Sequence, residues 1–163
     1  MKIYSFKQTQ FIPATLDTVW SFFATPDNLR HITPPEVNFE KLLMTGDPKM
    51  YAGQLIAYKL SPFPLLRVRW TTEITQVVPK KYFIDDQRFG PFAMWHHQHF
   101  FNEKNGGCEM MDEVSYAIPF GFLGRLANVI LVEKQVRKIF QFRAEVVDKI
   151  FRTGSVNLDW TLK

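Results

Sequence analysis

Residues Phe83–Pro119 read FIDDQRFGPFAMWHHQHFFNEKNGGCEMMDEVSYAIP. Gly90-Pro91 and Asn105-Gly106-Gly107 are turn signals that divide this stretch into three strand-like runs. Alternation along the middle run puts Trp95, His97, His99 and Phe101 on one face and His96, Gln98 and Phe100 on the other. Trp95 and Phe101 mark the first face as the buried one, which leaves His96 toward solvent. Phe83, Asp85 and Gln87 share a face of the preceding run, and Asp112, Val114 and Tyr116 share a face of the following one. Both sets belong with Trp95 and His97. The inner face of a sheet is ordinarily apolar, so carboxylates and imidazoles there must satisfy one another or border a cavity.

Working outward, Ile3–Phe11 reads as a first strand, ended by Ile12-Pro13-Ala14. Thr15 caps a short helix whose apolar side is Val19, Trp20, Phe22 and Phe23. Thr25-Pro26 opens a second short helix, and Thr33-Pro34-Pro35 stops it. Strands are expected over Val37–Met44, Gln54–Leu60, Leu66–Val78, Tyr82–Arg88, Phe92–Phe101 and Cys108–Ile118, with Ser61-Pro62-Phe63-Pro64 as a tight connector. Pro119–Gly124 breaks the sheet, and a helix follows over about Arg125–Arg152, roughly 28 residues and ~42 Å long. Lys134, Lys138, Gln141, Glu145, Asp148 and Arg152 form its solvated stripe. Val129, Val132, Val136, Ile139, Val146 and Ile150 face the other way, with Phe140, Val147 and Phe151 beside them. Gly154 is a natural stop, and Ser155–Lys163 is a C-terminal tail. Phe120 and Leu123 are expected to plug the end of the core; the alternative is a mobile gate that touches a membrane surface transiently. The six-strand meander needs a filler for its concave face, and only the last helix is long enough.

With 163 residues the chain is one domain, residues 1–154, plus the tail at 155–163. Sixteen Phe and 46% hydrophobic residues supply either a generous core or a lined cavity. The net charge of +4 is scattered and no nucleic-acid motif accompanies it, so nucleic-acid binding is not expected. Cys108 is the single cysteine, so no intrachain disulfide forms, and a reducing cytoplasm fits. It reads as an inert structural thiol. The N-terminus has no apolar signal core, and no run of apolar residues is long enough to span a bilayer.

The element order, together with Asp85, Gly90-Pro91-Phe92, Trp95, His97, His99, Phe101, Asp112, Val114, Tyr116, Pro119, Gly121, Gly124, Ile139-Phe140 and Arg143, resembles the START/Bet v 1-like helix-grip superfamily over residues 1 to about 154. That superfamily includes START lipid-transfer domains, the major birch-pollen allergen and polyketide cyclases. The sequence is most similar to a bacterial ligand-binding-like branch. The resemblance implies an α+β helix-grip fold: a curved seven-stranded antiparallel sheet wrapped around a long C-terminal helix, with two short helices after strand 1. It also implies a ligand space between sheet and helix, for which sterols, phospholipids, hormones and polyketides are the superfamily's range.

Arg143 lies in the helix's apolar stripe, four residues after Ile139 and three before Val146. A buried guanidinium must be paired, and Asp85 and Asp112 are the partners available on the sheet. One reading is therefore a structural network of Asp85, Asp112, His97, His99 and Arg143 that locks helix to sheet. In the functional reading, Asp85, Trp95, His97, His99, Tyr116, Phe140 and Arg143 bind an apolar or amphipathic small molecule. His97, His99 and Asp112 are the candidates for general acid–base chemistry of a cyclase or dehydratase type, although no nucleophile motif is present. His97-x-His99 with Asp112 or Asp85 could also hold a metal, but a lone His-x-His is a weak signal, and no metal or other cofactor is expected. The remaining reading is a regulatory interaction module with a filled core.

Overall fold

The computed structural model describes residues 2–63 and 66–153. Seven strands form one antiparallel sheet: β1 (Ile3–Ile12), β2 (Glu40–Met44), β3 (Gln54–Phe63), β4 (Leu66–Val78), β5 (Tyr82–Phe89), β6 (Met94–Lys104) and β7 (Gly107–Ala117). Their spatial order is β1-β7-β6-β5-β4-β3-β2, so the first two strands lie at opposite edges. The segment between them must cross the sheet, and it does so through α1 (Leu16–Phe23) and 3-10 turns at Pro26–Ile32 and Pro35–Val37. Thr15 caps α1, its hydroxyl accepting from the Thr18 amide at 3.3 Å. The C-terminal part is helical from Gly121 to Thr153: α2 (Gly121–Ala127), a π turn (Asn128–Val132) and α3 (Glu133–Thr153).

The sheet curves around α3, which buries Val136, Phe140 and Val147 against it. Edge strand β1 fixes the helix through two side-chain amides. Gln8 Nε2 donates to the Phe140 carbonyl at 3.4 Å, and Gln10 Nε2 to the Ala144 carbonyl at 2.8 Å. One end of the interior is a dry cluster of α1, β5, β6, β7 and α3 side chains, including Val19, Phe23, Phe83, Phe101, Met110 and Val147. Cys108 is buried in the same cluster.

Several boundaries differ from the sequence reading, each for a local reason. The second short helix is 3-10, with Pro26 in its first turn. The strand expected from Val37 starts at Glu40, because Pro35–Val37 closes a 3-10 turn and Asn38 adopts a left-handed conformation (φ 48°). Ser61–Phe63, expected to be a connector, extends β3, with Phe63 opposite Leu66 after a register shift past Leu60. Gly154, the tail at 155–163 and the domain boundary at 154 lie outside the described residues.

The last helix differs most. The π turn adds a residue to one turn and breaks the 3.6-residue periodicity. Asn128 is therefore buried, while Val129, expected to face inward, is 64% exposed. Phe120 and Leu123, expected to plug the core, are 82% and 70% exposed. Phe120 (φ 69°) and Gly121 (φ 54°) are both left-handed and turn the chain outward. Gly124 faces the sheet end instead, where a Cβ would fall 1.9 Å from the Pro119 carbonyl oxygen. No helix among the described residues is long and apolar enough to cross a membrane.

Phe101 is 2% exposed and meets Trp20, Phe23 and Phe83 at ring-centroid distances of 5.4, 5.7 and 6.0 Å. Phe101→Ala is expected to lower stability by about 3–5 kcal/mol, because three rings cannot collapse into one void. Urea denaturation followed by far-UV circular dichroism checks this.

Candidate functional site

The register of three neighbouring strands builds a four-residue polar cluster. Asp85 of β5 is directly opposite His97 of β6, and His99 of β6 is directly opposite Asp112 of β7. Side chains at such positions also reach their diagonal neighbours. His97 Nε2 lies 3.0 Å from Asp112 Oδ1 and His99 Nε2 lies 3.2 Å from Asp85 Oδ2, both as hydrogen bonds. His97 Nδ1 is 3.5 Å from Asp85 Oδ2. His99 Nδ1 is 2.9 Å from Asp112 Oδ1 but lacks hydrogen-bond alignment, so that contact is electrostatic. The two imidazole rings are 3.8 Å apart, and Phe83 stacks on His99 at 4.0 Å. From β4, the Thr72 hydroxyl donates to Asp85 Oδ1 at 3.0 Å. His96 lies on the outer face and pairs with Asp86 at 2.7 Å.

Burial and mutual charge set the protonation of this cluster. Burial depresses the pKa of His97, and the neighbouring His99 depresses it further; the contacts to Asp112 and Asp85 only partly offset this. Burial also opposes the charged form of His99, but its contacts with Asp112 and Asp85 outweigh burial and raise its pKa. Burial would raise both carboxylates; hydrogen bonds and charge from the two histidines overcome it and hold Asp85 and Asp112 below the usual carboxylate range. Of the two imidazoles, His99 therefore takes up the first proton, and both carboxylates favour their charged form.

Above it, between α3 and the sheet, lies a cavity of about 220 Å³. Asp85, Trp95, His97, His99, Phe140 and Arg143 all line it. Asp112 and Tyr116 are not among its lining residues. Asp112 sits behind the two rings. Tyr116, 1% exposed, is covered by Tyr4, Phe92 and Trp95 at 5.6, 5.7 and 5.9 Å. It lies on the inner face that alternation assigns to it, flanked in register by Tyr4 of β1 and Trp95 of β6, in a packed cluster with Val136 and Phe140 of α3. Trp70 and Trp95 meet edge to face on the cavity wall, their rings 5.2 Å apart. Because this space is open, the interior is not the Phe-filled core that the interaction-module reading requires.

Arg143 differs from expectation. It forms no ion pair with Asp85 or Asp112, its Nε is buried without a hydrogen-bond partner among the described residues, and its guanidinium stacks on Phe140 at 4.8 Å. The carboxylates are already occupied by the imidazoles. Burial lowers the pKa of Arg143, partly opposed by the fields of Asp112 and Asp85. Polar residues on the cavity wall that the sequence reading did not assign to the site include Tyr58, Thr72, Gln135 and Asn28. Period-2 spacing from Ile56 and Ile74 was the available signal for Tyr58 and Thr72. Burial, followed by the charges of Asp85 and Asp27, pushes the Tyr58 phenol upward, so it stays a neutral donor.

A curved sheet gripping a helix over a cavity with one polar pole defines a helix-grip cavity protein. Residues 12–144 match the family model described as polyketide cyclase / dehydrase and lipid transport, and the chain belongs to that family. Its fold is similar to that of TTHA0849 from Thermus thermophilus (15% identity, 93% of this chain and 99% of that one, TM-score 0.66). It is also similar to ginseng major latex-like protein 151 from Panax ginseng (9% identity, 92% and 98%, TM-score 0.65). A norcoclaurine synthase point mutant from Thalictrum, solved with a transition-state analogue, is similar as well (13% identity, 90% and 94%, TM-score 0.64). At these identities the likeness is one of fold. A search of curated protein sequences returns no match.

The cluster and its neighbouring cation lead to distinct expected outcomes. In chelator-treated protein, His99 takes up its proton at higher pH than His97, read from ring ¹⁵N shifts. A depressed carboxylate stabilises the fold above its unfolded pKa, so the stability contributed by Asp112 is present above roughly pH 4 and lost as pH falls below it. Arg143→Met breaks no ion pair and removes a half-buried cation. It is expected to leave stability within about 1 kcal/mol of wild type or to raise it, against the ~3–5 kcal/mol loss for a paired residue. Urea midpoints check this.

Proposed function

We propose that this protein binds an amphipathic small molecule whose apolar body fills the cavity and whose anionic or strongly dipolar oxygen-bearing head meets Arg143. The observation that carries this reading is the guanidinium whose Nε has no acceptor among the described residues, on the wall of an apolar space. A half-buried cation without a partner is costly, and a ligand oxygen would supply the missing acceptor. Tyr58 and Gln135 offer further polar contacts on the same wall. His97, His99 and Asp85 form the floor beneath the head group, while Trp95 and Phe140 pack against the body. About eight buried methylenes would contribute on the order of 6 kcal/mol before the cost of association. The family description, which pairs cyclase and dehydrase activity with lipid transport, supports a ligand of this kind.

The test is a matched pair of probes, a fatty acid and the fatty alcohol of equal length, titrated by calorimetry into wild type and Arg143→Met. Wild type is expected to prefer the acid, and the variant to lose about tenfold in acid affinity, or 1.4 kcal/mol, with the alcohol unchanged. Absence of binding by either probe, with no small molecule released when natively purified protein is denatured, would overturn the proposal.

One observation favours a second reading, cofactor-independent cyclase or dehydratase chemistry. His97 stands on the cavity wall with Asp112 hydrogen-bonded behind it, and burial favours its neutral form, the arrangement a general base requires. In that case His97→Gln abolishes deuterium exchange at a carbon next to a bound ligand's carbonyl, while ligand affinity is kept.

A further inference from the structure

We propose that Asp85, His97 and His99 form a binding site for a divalent transition-metal ion of the zinc class, open to the cavity on one side. The inference stands whether or not the cavity carries an amphipath. It rests on the spacing of donor atoms that adjacent strands hold in place. Asp85 Oδ2 is 3.5 Å from His97 Nδ1 and 3.2 Å from His99 Nε2. One donor atom from each of the three residues falls within 4.8 Å of the others. A tetrahedral ion with bonds of about 2.0–2.1 Å keeps its ligands about 3.4 Å apart. The two Asp85 contacts already have that separation, and the two imidazole nitrogens, within 4.8 Å of each other, reach it by rotation of the rings about their side-chain bonds.

The surroundings fit the same reading. A metal-bound imidazole normally turns its remote ring nitrogen to a carboxylate, which orients the ring and raises its basicity. Asp112 does this for His97 and lies against the remote nitrogen of His99 without a hydrogen bond. Its Oδ1 is hydrogen-bonded to His97 Nε2 at 3.0 Å and lies 2.9 Å from His99 Nδ1. Asp112 itself is not on the cavity wall, so it stands behind the ligands. Thr72 occupies Asp85 Oδ1 and leaves Oδ2 turned toward the imidazoles. Two imidazoles and one carboxylate suit zinc, cobalt or ferrous iron, whereas calcium and magnesium take oxygen ligands. The two carboxylates beside the rings, Asp85 and Asp112, balance a dication. Three protein ligands leave a position for a water molecule or an oxygen of the cavity's occupant.

The probe is Co²⁺, titrated into chelator-treated full-length protein and followed by its visible d–d absorption, then displaced with Zn²⁺. The expected result is one Co²⁺ per chain with the intense bands of a four- or five-coordinate ion, lost on adding Zn²⁺. Asp112→Asn is expected to weaken binding about 10–100-fold, the range for an outer-shell carboxylate. Asp85→Asn and His99→Ala are expected to abolish it, and His96→Ala to leave it unchanged. Should the inward variants fail to fold, wild type alone decides through histidine ¹⁵N spectra. Zn²⁺ must move the ring nitrogens of His97 and His99 and leave those of His31 and His96 in place. Absence of Co²⁺ uptake, uptake undiminished in folded Asp85→Asn, or ring shifts confined to His31 and His96 would each overturn the site.

Discussion

The interior depends on the sharing of two imidazoles between two carboxylates across β5, β6 and β7. Four polar side chains on the concave face meet one another at 2.9–3.5 Å. They cannot be moved apart without stranding a charge in a dry environment. That arrangement uses up the carboxylates and leaves Arg143, facing them from α3, without an ion-pair partner among the described residues. An apolar helix face would have closed onto an apolar sheet face. Here the sheet presents a polar floor and the helix a lone cation, and the space between them stays open.

Much of the fold was legible because its signals are local. The Gly90-Pro91 and Asn105-Gly106 turns set the register of three strands, and period 2 then placed Asp85, His97, His99 and Asp112 on one face. Whether Arg143 pairs with Asp85 was not legible, because it depends on whether the imidazoles have already claimed that carboxylate. Tyr116 shows the same limit. Its side of β7 follows from alternation, but Tyr4 and Phe92, which cover it, come from distant parts of the chain. Tyr58 and Thr72 could be placed on the inner face by period 2 from Ile56 and Ile74, but nothing in a strand tyrosine or threonine marks it as lining a cavity.

The last helix shows how one irregular turn redistributes side chains. Hydrophobic periodicity assumes a constant number of residues per turn, and Asn128–Val132 breaks that assumption. Beyond the break, Val136 and Phe140 face the sheet as expected; before it, the apolar residues of α2 face outward. Phe140 and Arg143 lie over the cavity on the regular part of α3, which Gln8 and Gln10 of β1 hold at the Phe140 and Ala144 carbonyls.

The edge-to-face contact of Trp70 and Trp95 has an optical consequence. Two indoles 5.2 Å apart and inclined at 86° have strongly coupled electronic transitions, and this pair sits on the wall that any occupant must touch. Displacing either ring by a fraction of its width changes the coupling and with it the chirality of near-ultraviolet absorption. Trp20, edge-on to Phe101 in the dry cluster, belongs to a different environment and supplies a steadier background. The protein thus carries its own dichroic gauge of cavity occupancy, one that responds without a label and whatever the chemical identity of the occupant.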